Sequence, residues 1–124
     1  IFGSGAVNQI GLGPNSVTSL QFDNTYTGTT TISSGILDLG GGGLTGNVGS
    51  GSVVNNSVLT VNRANAITIS GDISGTGILN KNGAGTLTLP GTMTYGGTTN
   101  INNGTLAITG NWNATGNIVN NATL

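Results

Sequence analysis

The chain has 124 residues, among them 24 Gly, 20 Thr and 18 Asn, with no Cys, no His and no Glu. Only Asp23, Asp38, Asp72, Arg63 and Lys81 carry charge, for a formal net charge of −1. That balance offers no basic stripe for nucleic acid and no polybasic patch for anionic lipid, and without Cys neither disulfides nor Cys-ligated metals support the structure.

In the opening stretch Pro14 falls at a segment boundary. From Phe22 onward the sequence alternates. Leu37-Asp38-Leu39, Leu59-Thr60-Val61, Ile67-Thr68-Ile69, Leu87-Thr88-Leu89 and Leu106-Ala107-Ile108 each place apolar side chains on one face with period two, which predicts short strands. This pattern argues against disorder, which low charge and many glycines would otherwise suggest. Gly35 and Gly104 precede two of these strands and are expected at corners with positive φ. Gly40 to Gly43 reads as a flexible loop, and Pro90 lies where its missing N–H need not interrupt a ladder.

Internal repetition decides the fold class. Tyr26 to Leu39 aligns with Tyr95 to Ile108 at an offset of 69, with seven identities in 14 positions: Tyr26/Tyr95, Gly28/Gly97, Thr29/Thr98, Thr30/Thr99, Ile32/Ile101, Gly35/Gly104 and Leu37/Leu106. Val53 to Leu59 likewise echoes Ile118 to Leu124 at an offset of 65. Apolar doublets recur at steps of 22, from 37/39 to 59/61, and 19, from 87/89 to 106/108, with Leu124 a further 18 on. A coil of roughly 20 residues predicts an all-β, single-stranded parallel β-helix of about six coils, a rod roughly 30 Å long at about 4.8 Å per coil. Asn55, Asn56, Asn102, Asn103, Asn120 and Asn121 are candidates for ladders of amide hydrogen bonds up the stack.

The words Ile73 to Gly77, Lys81, Gly83 to Leu89, Thr94-Tyr95, Gly96 to Thr99, Ile101 and Gly104 to Leu106 follow one another in a set order. In that order they resemble the passenger-associated transport repeat of autotransporter passenger domains. The best matches are 22–39 and 71–108, with Pro90 and Met93 departing from the usual residues, and residues 1–124 are expected to form a single β-helical segment of a longer passenger. The resemblance implies a right-handed helix displayed outside a Gram-negative bacterium, exported by a signal peptide and an outer-membrane barrel that this segment does not contain.

No catalytic, cofactor-binding or metal site is expected. Polysaccharide-cutting β-helices need converging carboxylates; here Asp38 sits between inward Leu37 and Leu39 and should face solvent, and Asp72 belongs to a turn. The glycine run lacks the Asp of a calcium-binding repeat. Sequons at Asn55, Asn103, Asn113 and Asn121 follow from composition. Tyr26 and Tyr95 are expected to be structural, whereas Trp112, without a repeat partner, is a candidate contact residue. The function expected is surface display and adhesion to host or neighbouring cells, with no nucleic acid partner and no membrane insertion by this segment. Two alternatives stand beside it: a self-assembling extracellular fibre or surface layer, associating through coil ends or polar faces, and a polysaccharide-acting enzyme.

Overall fold

The computed structural model describes residues 1–11 and 13–122. Its strands, all short, run β1 (Val7–Gln9), β2 (Val17–Leu20), β3 (Thr30–Ile32), β4 (Ile36–Leu39), β5 (Val53–Asn55), β6 (Val58–Val61), β7 (Ile67–Thr68), β8 (Ile73–Ser74), β9 (Ile78–Lys81), β10 (Thr86–Leu89), β11 (Thr99–Ile101), β12 (Thr105–Ile108) and β13 (Ile118–Asn120). No helix occurs among the described residues. Every strand pair is parallel, so each coil lies on the next in the same direction.

Three sheets form the walls. The first orders β1-β3-β5-β8 and continues through single bridges from Ile73 to Met93 to Trp112. The second orders β2-β4-β6-β9-β11-β13, and the third β7-β10-β12, with Asp23 bridging Asn47 in the earlier coils. The backbone visits these walls in turn, which makes a solenoid of about six coils.

Register explains the core. In the second sheet Leu37, Leu59 and Leu79 stack in one inward row, and Leu39, Val61 and Lys81 in another. Ile67, Leu87 and Leu106 stack in the third sheet, while Thr30, Val53, Ile73 and Met93 stack in the first. Nearly all of these side chains in the middle coils are fully buried. Because a coil can bury its inner face only against its neighbours, the alternation of Leu, Ile and Val along each strand becomes a column of like residues across strands.

The sequence repeat and the coil are different units. Three coils carry Thr30 to Val53, Ile73 and Met93, all in the first sheet, yet the repeat partner of Thr30 is Thr99, in the second. Leu37 lies in the second sheet and its partner Leu106 in the third. The repeat therefore recurs after three coils plus one wall, so its two copies face different sides of the rod. The echo of Val53 is Ile118, again shifted from the first sheet to the second, while the final step to Leu124 falls outside the described residues.

Within each copy the local structure is the same. Tyr26 Oη shares a hydrogen bond of 2.5 Å with Thr30 Oγ1, and Tyr95 Oη one of 2.6 Å with Thr99 Oγ1, with both rings fully buried. Gly35 and Gly104 have φ of 76° and 73°, as the corners require. Gly40 to Gly43 is a hydrogen-bonded turn held from both sides: Gly40 N donates to Leu20 O in one neighbouring coil, and Gly42 N to Asn62 O in the other.

The ladders partly differ from expectation. Asn102 Nδ2 donates to Asn82 Oδ1 at 2.8 Å and Asn121 Nδ2 to Asn102 Oδ1 at 3.0 Å, and a second rung joins Asn100 to Asn80 at 2.8 Å. The other expected members cap the backbone instead: buried Asn55 bonds Ile78 O and Ser57 N, Asn56 accepts from Thr76 N, Asn103 from Gly104 N and Asn120 from Ala122 N.

Coils approach so closely at the corners that some positions admit no side chain. A Cβ on Gly85 would lie 1.8 Å from Asn65 O, a backbone atom of the coil beneath, whereas one on Gly5 would meet nothing within 4 Å. Gly85→Ala is expected to lower stability in urea denaturation by about 1–3 kcal/mol. Gly5→Ala should change it by less than about 0.5 kcal/mol.

Candidate functional site

The charged groups are where chemistry would begin, and each of the five ties one coil to the next. Arg63 is buried at the corner after β6; its Nε donates to Asn65 Oδ1 at 2.9 Å and its two terminal nitrogens to Gly46 O at 3.1 Å, Ala66 O at 3.2 Å and Asp23 Oδ1 at 3.3 Å. Asp23 Oδ1 also accepts from Gly46 N at 2.9 Å. Asp72 Oδ1 accepts from Thr92 N at 2.8 Å.

Asp38 departs from the solvent-facing position expected of it. Its side chain lies on the outward side of β4, but only 9 % of the residue is exposed, because Ser19 of the preceding coil donates to Oδ2 at 3.0 Å and the glycine turn folds over it. A Cβ on Gly41 would stand 3.6 Å from Asp38 Oδ2. The three aspartates have separate partners.

Lys81 is fully buried, its side chain following Leu79 to the inside of the helix. There its ammonium donates to Gly83 O on its own coil and to Asn103 O on the next, at 3.3 Å for the second. Burial holds its pKa below the usual lysine value. Burial also pushes the Tyr95 hydroxyl up to about 12, only partly opposed by the bond to Thr99.

Trp112, the contact candidate, points inward. It follows Ile73 and Met93 in the first-sheet row, half-buried, with its ring edge-on to Tyr95 at 5.7 Å and 85°. What exposure it has comes from lying in the last described coil. Tyr26 and Tyr95 are structural, as their repeat positions suggested.

A shallow trough of about 310 Å³ crosses three coils near the corner between the third and first sheets, lined by Asn24, Thr25, Asn47, Ser50, Thr68 and Ser70 among others. Its amides hold the stack: Asn24 Nδ2 donates to Asn47 O and Asn47 Nδ2 to Thr68 O, each at 2.8 Å. No charged side chain lines it. Among the described residues no three of Asp, Glu, His or Cys come together as metal ligands, and no helix is long and apolar enough to cross a membrane.

This geometry defines a class: a parallel β-solenoid whose polar and charged side chains bind coil to coil, with outer faces of amides, hydroxyls and aliphatic groups. Within that class, the protein carries the passenger-associated-transport-repeat of autotransporter passengers, which matches residues 19–39 and 79–108. It is similar to the adhesin BmaC autotransporter of Brucella suis biovar 1 (strain 1330), with 48 % identity over 83 residues, 67 % of this chain. The chain spans about 2 % of that relative's length. No solved structure matches it.

The two buried titrating groups predict opposite trends with pH. The unfolded chain holds the Lys81 proton up to about 10.5 while the folded chain releases it earlier, so stability rises with pH through that window. Tyr95 ionises near 10 when unfolded and near 12 when folded, so stability falls over that range, by roughly 3 kcal/mol in all. Denaturation midpoints followed against pH should show Lys81→Met losing the rise and Tyr95→Phe losing the fall.

Proposed function

We propose that this segment is a non-catalytic part of an autotransporter passenger, displayed outside the outer membrane, where it contributes to adhesion to host or neighbouring cells. The observation that carries this reading is the match of two stretches to the passenger repeat, joined by similarity to a protein named as an adhesin. Structure supports it through chemistry. All five charged groups are engaged in holding coils together, so recognition falls to neutral outward side chains arranged at coil spacing. Catalysis by general acid and base would need carboxylates free to converge on one bond, and here the three aspartates are held apart by different partners.

In this reading the coils act first as a spacer and secondarily as a contact surface. Labelled protein added to cultured epithelial cells, and separately to the producing bacterium, should bind in a saturable manner and be displaced by unlabelled protein. Binding no greater than that of an unrelated uncharged β-solenoid of similar length would sink the adhesive assignment and leave the spacer role.

A further inference from the structure

The sequence contains two Asn-Gly pairs, Asn82–Gly83 and Asn103–Gly104. They follow β9 and β11, strands that pair directly, so both lie at the corner between the second and third sheets in successive coils. Asn followed by Gly is chemically vulnerable, because a residue without a Cβ leaves its amide nitrogen open to approach the amide carbon of the preceding side group. Both asparagines are exposed. Their settings differ.

At Asn82 the reacting atoms are held by different partners. Its Oδ1 accepts from Asn102 Nδ2 at 2.8 Å, while the Gly83 N–H donates to Val61 O of the neighbouring coil at 3.3 Å. At Asn103 the pair closes on itself, since the Gly104 N–H donates to Asn103 Oδ1 at 2.8 Å. Cγ is one C=O bond, about 1.2 Å, from that oxygen, so nitrogen and carbon lie no more than about 4 Å apart. Among the described residues no backbone acceptor restrains the Gly104 N–H, and no hydrogen bond restrains Asn103 Nδ2.

We propose that Asn103 is a site of spontaneous deamidation in the folded protein, and that the corner hydrogen bonds protect Asn82. The Gly104 nitrogen attacks Asn103 Cγ and forms the new C–N bond of a five-membered succinimide. The bond from Cγ to Nδ2 breaks, and ammonia departs with the proton that the Gly104 nitrogen gives up. Water then opens the ring at one carbonyl or the other, giving aspartate or isoaspartate. Opening to isoaspartate turns the backbone carbonyl that accepts from Lys81 into a free carboxylate. The buried ammonium then faces an anion in place of a neutral oxygen.

Purified protein is incubated at mildly alkaline pH, folded in buffer and unfolded in urea, and Asn, Asp and isoAsp at both positions are quantified over time by peptide mapping with mass spectrometry. Each site's folded-to-unfolded rate ratio is the readout. Asn103 should convert in the folded protein at a rate close to its rate in urea, while Asn82 slows by roughly an order of magnitude, as restraint of a reacting pair away from attack geometry requires. Equal protection of the two sites, or faster conversion at Asn82, overturns the proposal.

Discussion

Parallel stacking in register is the constraint from which everything else in this molecule follows. Each strand is only two to four residues long and could not persist alone. It persists because its backbone bonds the strands on either side and its inward side chains land on inward side chains of the same kind, as Leu37, Leu59 and Leu79 do. A shift by one residue in any coil would turn that column outward. Coil length can still vary between walls, because a corner absorbs the difference: Asn82 and Gly85 are separated by two residues, while the tighter corner of the following coil runs from Asn102 through Gly104 into β12.

The few charges obey the same constraint. A buried ammonium or guanidinium is costly unless hydrogen-bonded, and corners are where backbone carbonyls turn away from the sheets and need donors. Arg63 and Lys81 satisfy this need from inside, each reaching carbonyls on two coils. Asp23, Asp38 and Asp72 do the reverse, accepting from donors of adjacent coils. With only five charges, the protein places them where they cross-link, leaving amides and hydroxyls to wet its surface.

Much of this was legible from residues alone. Alternating doublets located β4, β6, β7, β10 and β12, and the Gly35 and Gly104 corners followed from their place before strands. Ladders were harder, because a rung depends on which residue lies one coil away. Asn80 and Asn100, single asparagines within strands, pair for that reason, whereas the conspicuous doublet Asn55-Asn56 bends back to cap its own corner and the next. The inward course of Lys81 did carry a signal, since it stands two residues after Leu79 on the same side of β9. Asp38 obeyed its alternation and points outward; its cover comes from Ser19 of the preceding coil and from the glycine turn that folds back over it, contacts that strand alternation does not encode.

The one-wall displacement between repeat copies has a geometric consequence for any longer rod built at the same spacing. Tyr26 and Tyr95 are 69 residues apart, and a third copy at that interval would lie on the remaining wall, a fourth back above the first. Copies would then wind round the axis as a slow spiral. Whatever a single copy shows on its outer side, such a rod would show in every azimuth, so a surface approaching from any direction would meet the same groups without the rod having to turn.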